Sequence, residues 1–215
     1  MTMNTTPDPL IERLAGELEP VRVPARREGL AWVALAVAAT VLAIELIEGL
    51  WRGIASGEAS AMFWIANGLL LVLGLAAATS AVTMAGPRVG NAHEAPRWAL
   101  AALGVLPLAV LATLATGGES HSPLADSHGL ACALAGLAAG VLTAVTLVLW
   151  LRRGAPVSPA AAGLHTGLAA GALGSAAYGL SCPIDGAAHL GIWHVLPVAL
   201  AAAIGRLAIP PLVRW

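Results

Sequence analysis

Charged residues are scarce in this chain, and lysine is missing altogether. Asp, Glu, Lys and Arg make up 11% of the 215 residues, whereas 58% are apolar and the mean hydropathy is +0.81. Too little polar surface remains to cover a water-soluble globule, so the composition excludes an ordinary soluble domain and requires surrounding lipid. The formal net charge of -1 gives no sign of a nucleic-acid-binding surface.

Signatures of catalysis and of compact metal sites are also missing. The sequence has no C-x-x-C or H-E-x-x-H pattern, no phosphate-binding loop and no cofactor fingerprint. It also offers no recognisable pair of nucleophile and base. We therefore predict a protein that is not an enzyme and has no resident cofactor. Cysteine is rare too, with two residues in the whole chain.

Long apolar stretches recur six times along the sequence. About 20 apolar residues suffice to cross a hydrocarbon core of roughly 30 Å. We therefore predict an all-α, multi-pass membrane protein in which residues 30–215 form a domain of six transmembrane helices and residues 1–29 form a cytoplasmic segment. The six stretches lie near residues 30–50, 61–84, 97–116, 128–151, 159–180 and 189–209.

Arginine is distributed unevenly between alternate loops. Ten of the eleven arginines precede the first helix, flank the second and fourth loops or follow the sixth helix, and only Arg52 lies elsewhere. Basic residues beside short loops are retained on the cytoplasmic side of a membrane. Both termini are therefore predicted to be cytoplasmic, and the third and fifth loops periplasmic. The ten residues are Arg13, Arg22, Arg26, Arg27, Arg88, Arg97, Arg152, Arg153, Arg206 and Arg214.

Both cysteines lie at the predicted periplasmic end of the helices. Cys132 is one turn into the fourth predicted helix, and Cys182 follows the fifth. A bundle with short loops brings the outer ends of the fourth, fifth and sixth helices together. Two thiols at one depth in an oxidising compartment can form a disulfide if their Cα atoms come within about 7 Å. The residues expected around them are His121, Asp126, His128, Pro183, Asp185, His189 and His194.

Three interpretations of the cysteine pair remain open from the residues alone. The first is a structural disulfide, or two unrelated buried thiols. The second is a redox switch in which oxidation changes the packing of the helices. The third is a soft site for zinc or copper, because His128 and Cys132 are four residues apart and share a helix face. The remaining ligands of such a site would come from Cys182, His189 and Asp185.

A transporter for a small solute or a metal ion is the alternative class of protein. In that interpretation the outer His/Cys cluster receives the solute, and Glu45 and His165 are deeper stations within the membrane. A proton or cation path normally has more ionisable groups near the midplane, which disfavours a transporter.

The segment before the first membrane helix has the spacing of a short amphipathic helix. An Asp-Pro start and acidic residues on the polar side accompany this spacing. Such a helix either lies on the membrane surface or docks its apolar face in a groove of a soluble partner. The acidic residues favour the soluble partner over anionic lipid. The apolar residues are Leu10, Ile11, Leu14 and Leu18.

Several segments of the sequence resemble one membrane protein family, the negative regulators of sigma-F. These are six-helix membrane anti-sigma factors of proteobacteria, and the similarity covers nearly the whole chain. The family often has His directly before the second cysteine, where this chain has Ser181. The segments are residues 10–14 with 20–22, residues 129–134, residues 152–156, and residues 178–185 (Tyr-Gly-Leu-Ser-Cys-Pro-Ile-Asp) followed by Trp193 and His194.

This resemblance implies a role in the regulation of transcription under stress. A family member in the bacterial inner membrane holds an extracytoplasmic-function sigma factor inactive and releases it under oxidative or heavy-metal stress. By this resemblance Cys132 and Cys182 are the redox-sensing thiols, with at most a transient metal ion between them. The sigma-binding surface is residues 10–18 with the inner loops. The partners are then the sigma factor and the lipid bilayer, without direct contact to nucleic acid.

Overall fold

The part of the chain described by the computed structural model, residues 9–17, 25–86, 95–115 and 126–214, is all-helical and contains no strand. The predicted fold class, all-α, is confirmed for these residues. The helices are α1 (Pro9–Gly16), α2 (Arg26–Ile47), α3 (Gly53–Ser56), α4 (Ala61–Met84), α5 (Ala95–Ala115), α6 (Gly129–Ala139), α7 (Val141–Leu151), α8 (Pro159–Gly179), α9 (Ala187–Trp193), α10 (Leu196–Ala208) and α11 (Pro210–Val213).

Four helical segments of the described residues are long and apolar enough to cross a membrane. The sequence predicts six such segments, so the structure supports four of them by length and composition. α8 has 21 residues, but many of them are glycine and it contains His165, which lowers its hydropathy. α5 contributes only the shorter apolar stretch Pro96–Ala112. The four segments are Arg26–Ile47, Ala61–Met84, Gly129–Leu151 and Ala187–Ala208.

Two of these four segments are interrupted. α6 and α7 meet at Gly140, which caps both helices. α9 ends at Trp193, and α10 begins two residues after His194 with Pro197 in its first turn. Proline is tolerated there because the first turn of a helix needs no amide donor. One half-helix of each interrupted segment, α6 or α9, lies at the end of the bundle that holds the cysteines.

α8 is the central helix of the described bundle. Fourteen of its 21 residues are buried, and it packs against α4, α6, α7 and α10. The helices approach closely because α8 has glycine at its contacts. A Cβ atom at Gly167 would lie 2.1 Å from the carbonyl oxygen of Ala201, and one at Gly163 would lie 2.3 Å from that of Gly205. The backbones of α8 and α10 are therefore in direct contact.

One end of the bundle, the arginine end, holds the start of α2 and the ends of α7 and α11. The Nη1 atom of Arg153 lies 2.7 Å from the Oε1 atom of Glu28, and its guanidinium stacks 4.9 Å from the ring centroid of Trp32. Arg152 and Arg214 line one cavity. Arginines that are distant in sequence thus share one end of the bundle, as the loop pattern predicts.

The opposite end, the cysteine end, holds the turns after α2 and α8. The backbone N–H of Trp51 donates to the carbonyl of Leu180 at 2.8 Å. The Ser181 hydroxyl donates to the carbonyl of Gly49 at 2.9 Å. These bonds attach the turn after α8, which contains Cys182, to the turn after α2.

Replacement of Gly174 with Ala should destabilise the bundle by about 1–3 kcal/mol, because overpacking of a dense core costs that much. A Cβ there would lie 2.4 Å from the Gly140 nitrogen and 2.5 Å from the Gly136 oxygen, and backbone atoms cannot move aside as a side chain does. The measurement is the midpoint of thermal unfolding in detergent. Gly68→Ala is the control, because its Cβ would meet nothing within 4 Å. Equal midpoints for the two variants would contradict the close contact of α6 and α8.

Candidate cysteine and histidine site

The two cysteines are in contact at the cysteine end. Cys132 lies in the first turn of α6 and Cys182 in the turn that follows α8. Their sulfur atoms are 3.9 Å apart, both residues are buried, and both are free thiols. The short loops and the common depth of the two residues therefore do bring the thiols together. The geometry permits a bond between them after a small movement of either segment.

A histidine and a carboxylate lie next to the thiol pair. The Nε2 atom of His189 in α9 lies 3.5 Å from the sulfur of Cys182. Its Nδ1 atom lies 2.5 Å from the Oδ2 atom of Asp126, and Asp126 also accepts the backbone N–H of His128 at 2.9 Å. A carboxylate that accepts the Nδ1 proton leaves the lone pair on Nε2. That lone pair then faces the Cys182 thiol.

A second histidine completes the group. His194, between α9 and α10, is buried, and its Nε2 atom has no hydrogen-bond partner among the described residues. Its ring lies 5.3 Å from that of His189 and 6.4 Å from that of Tyr178. Cys132, Cys182, His189 and His194 each offer one ligand atom, and these atoms lie within 4.8 Å of one another. We call these four residues the Cys/His cluster.

The charges around the site differ between its members. Burial raises the pKa of Cys182 to about 12, and the neighbouring Cys132 adds to this shift. Burial alone would also raise the pKa of Asp126, but its hydrogen bonds from His189 and from the His128 backbone lower that pKa below 3.8. At neutral pH Cys182 is therefore a neutral thiol and Asp126 a carboxylate. A thiol reacts as its thiolate, so Cys182 needs a base or a metal ion to become reactive.

Two residues expected at the thiols lie elsewhere. His128 is exposed at the residue before α6, and its side chain is outside the Cys/His cluster. The four-residue spacing does not bring the two side chains together: His128 is the N-cap of α6 and its carbonyl accepts the backbone N–H of Cys132 at 3.0 Å, but the His128 side chain is exposed whereas Cys132 is buried. Asp185 accepts the backbone N–H of Ser60 at 2.9 Å and thereby stabilises the start of α4.

Other expected residues surround the site or lie outside the described residues. Pro183 is exposed in the turn directly after Cys182. His121 lies outside the described residues. Asp126 is among the residues expected near the cysteines, but its pairing with His189 is not predicted, because nothing in the local sequence pairs it with a histidine 63 residues away. The shared position of both residues at one end of the helices is the only signal.

Glu45 and His165, the deeper stations of the transporter interpretation, have local partners. The Glu45 carboxylate is exposed and accepts the backbone N–H of Leu50 at 2.6 Å, in the turn after α2. The Nδ1 atom of His165 lies 2.8 Å from the Ala161 carbonyl within α8. These contacts do not join the two residues to the Cys/His cluster.

The N-terminal segment contains the helix α1. Its apolar residues Ile11 and Leu14 are 62% and 51% exposed. Leu18 and the side chain of Leu10 lie outside what the structure describes. The described part of the expected apolar face is therefore open to a partner.

Comparison with known proteins identifies the class. The sequence model of the family described as negative regulator of sigma F matches residues 14–215, and the chain belongs to this family. A relative from Azospira oryzae, a probable anti-sigma-F factor, is 28% identical over 214 residues, which cover 96% of this chain and 98% of the relative. No solved structure matches the chain. The resemblance predicted from the sequence is thus confirmed.

Replacement of Asp126 with Asn should lower the stability of the protein by about 1.5–3 kcal/mol, the usual value of a hydrogen bond to a charged group. The substitution leaves the buried His189 without its carboxylate partner. The readout is thermal unfolding in detergent at neutral pH. Glu58→Gln, an equivalent change at an exposed carboxylate of the same end, is expected to have no effect. If both variants unfold like the unaltered chain, Asp126 does not hold His189.

Proposed function

We propose that the chain is a membrane anti-sigma factor that holds an extracytoplasmic-function sigma factor inactive and releases it under oxidative or heavy-metal stress. Membership of the family supports the anti-sigma role. The observation that carries the stress response is the pair of buried thiols 3.9 Å apart, at the junction of α6 and the turn after α8. A chemical change at this point acts on two membrane helices at once.

The proposed location is the bacterial inner membrane, with six spanning helices and both termini in the cytoplasm. The position of α8 supports more than four membrane-spanning helices. α8 lies among segments that are apolar enough to span a membrane, and it packs along them. α5 is proposed as the remaining span. The gathering of arginines at one end supports the orientation, since that end would face the cytoplasm. The cysteine end then faces the periplasm, where oxidants arrive first.

Oxidation of the thiol pair is a balanced two-electron step. The sulfurs of Cys132 and Cys182 form a bond, and two electrons and two protons pass to the oxidant, which can be a peroxide or a small disulfide. His189 supports this step as a base, because its Nε2 atom lies 3.5 Å from the Cys182 sulfur. A heavy-metal ion instead displaces the thiol protons and binds both thiolates.

Either reaction changes the contact between α6 and the end of α8. These helices meet backbone to backbone farther along, where Gly174 contacts Gly140. Such densely packed interfaces have discrete arrangements and do not deform continuously. A bias of about 5.5 kcal/mol moves a two-state population from 1:99 to 99:1. A disulfide typically contributes about 2–4 kcal/mol, which shifts such a population substantially without reversing it completely.

The proposed sigma-binding surface begins with α1. An amphipathic helix that lays exposed apolar residues in a groove of its partner is a common mode of recognition. Ile11 and Leu14 present such residues, and Leu10 and Leu18 continue the same predicted face. The inner loops at the arginine end complete the surface.

Oxidation should release the sigma factor from the purified complex. The unaltered chain in detergent is expected to retain the sigma factor on an affinity column under reducing conditions and to lose most of it after mild peroxide treatment. The chain with Cys132→Ser and Cys182→Ser should retain it in both states, because no bond can form. The fraction retained on the column is the measurement.

The control for this experiment is His128→Gln, which alters an exposed residue of the same end and should respond like the unaltered chain. If no sigma factor is retained in either state, the anti-sigma role is wrong. If the double serine variant still responds to peroxide, the thiols are not the sensor.

Replacement of Ile11 and Leu14 with Glu should weaken binding of the sigma factor at least tenfold. Burial of one such side chain contributes about 1.5–3 kcal/mol, and 1.4 kcal/mol corresponds to a factor of ten. The dissociation constant is measured with the reduced protein in detergent. Glu12→Gln on the same helix, where no apolar contact is lost, should bind like the unaltered chain. Undiminished binding of the double Glu variant would remove α1 from the sigma-binding surface.

A further inference from the structure

Two of the distances between ligand atoms of the Cys/His cluster match those of a tetrahedral metal site, and all four ligand atoms lie within 4.8 Å of one another. Bond lengths of about 2.3 Å for zinc–sulfur and about 2.0–2.1 Å for zinc–nitrogen place two sulfurs about 3.8 Å apart, and a sulfur and a nitrogen about 3.5 Å apart. The sulfurs of Cys132 and Cys182 are 3.9 Å apart, and the Cys182 sulfur is 3.5 Å from the His189 Nε2 atom. The other ligand-atom distances, which extend to 4.8 Å, must shorten when an ion is accepted.

The fourth residue has an unused ligand atom. His194 is only 2% exposed, and its buried Nε2 atom has no hydrogen-bond partner among the described residues. A buried polar atom without a partner costs free energy, so an unsatisfied nitrogen needs an explanation. A metal ion at the centre of the cluster would satisfy it.

The histidine ring next to the thiols is held as a metal ligand usually is. Metal-binding histidines donate their second N–H to a carboxylate or carbonyl, which fixes the ring and the tautomer. Asp126 accepts from Nδ1 of His189 at 2.5 Å, which leaves Nε2 free to bind. Asp126 is therefore a positioning residue of the site.

The charge of the site also fits its buried position. Two thiolates and two neutral imidazoles balance one divalent cation, so the loaded site is neutral. An unbalanced charge would be costly at a buried position beside the membrane. Two sulfur and two nitrogen ligands in tetrahedral arrangement favour zinc, and four protein ligands leave no open position for catalysis.

We propose that Cys132, Cys182, His189 and His194 bind one zinc ion, with release of the two thiol protons and no change of oxidation state. Binding of zinc does not depend on the proposed function. A role of zinc in the stress response does rest on the proposed function. In that role, oxidation or a softer ion such as Cu⁺ would free the thiolates from zinc.

Metal content of the full chain tests the proposal directly. The chain is purified in detergent under anaerobic reducing conditions, supplied with zinc and freed of loose metal by gel filtration. About one zinc per chain is expected by mass spectrometry. Cobalt in place of zinc should show the absorption of tetrahedral cobalt and a thiolate-to-cobalt charge-transfer band. A chain that retains no zinc and gives no thiolate band with cobalt would overturn the proposal, as would zinc retained without thiolate ligation.

Variants assign the ligands. Asp126→Asn should bind zinc about 10–100-fold more weakly with unchanged stoichiometry at saturation, the usual cost of losing such a partner. Cys132→Ser, Cys182→Ser and His194→Gln should lose more, whereas His128→Gln should bind like the unaltered chain. Unchanged affinity in the cysteine variants, or loss in His128→Gln, contradicts the ligand set.

The same preparations separate this proposal from the anti-sigma role. Zinc is measured by metal content and the sigma factor by retention on the column. A chain that binds zinc but retains no sigma factor leaves the site in place and removes the role. A chain that retains the sigma factor and releases it on oxidation, but never binds zinc, has the role without the site.

Discussion

The close contact of α8 with its neighbours is the constraint on which the rest of the fold depends. Membrane helices gain little from burying apolar side chains, because lipid is equally apolar, and they associate through close packing. Glycine at positions 163, 167, 171 and 174 of α8 removes the side chains that would separate the backbones. α8 can therefore be central and nearly fully buried while it remains less apolar than the helices around it.

This constraint also positions the Cys/His cluster. Cys182 follows directly on α8, and Cys132 is in the helix that Gly174 contacts. The two histidines come from the half-helix α9 and from the break before α10, whose backbone lies against α8. Cys132, Cys182 and His194 therefore belong to segments that adjoin α8 or pack on it, whereas His189 is in α9, which packs mainly on α5 and α6. A change in one sulfur–sulfur distance must be accommodated by this one group of helices.

The sequence predicts well which end of the bundle a residue occupies, and it predicts direction around a helix poorly. Hydropathy and arginine placement group Cys132, Cys182 and His189 at one end, because depth follows from position along an apolar stretch. His128 shows the limit: it caps α6 and its carbonyl accepts the backbone N–H of Cys132, yet its side chain is exposed while Cys132 is buried. Length and composition support four of the six predicted spans, because the glycines of α8 reduce its hydropathy in favour of packing and α5 contributes only a shorter apolar stretch.

Contacts between distant loops cannot be predicted from the sequence, for a further physical reason. Asp126 meets His189 because the start of α6 lies beside α9, and this neighbourhood depends on tertiary packing and not on any local pattern. The same holds for Asp185, which looked like a ligand by its position near Cys182 but instead binds the start of α4. A polar residue in a loop has several acceptable partners at one depth. Tertiary packing selects among them.

The position of the cluster also bears on how a signal would cross the bundle. A helix that contacts its neighbours through long side chains can absorb a shift by changes of rotamer, whereas contacts between backbones leave no such freedom. α8 has direct backbone contacts near Gly174 and again near Gly163, close to its other end. Movement at the cysteine end is therefore best transmitted by displacement of the whole helix. At the arginine end, Glu28 and Arg153 join α2 to α7 by a polar contact that can break and form again during such a displacement.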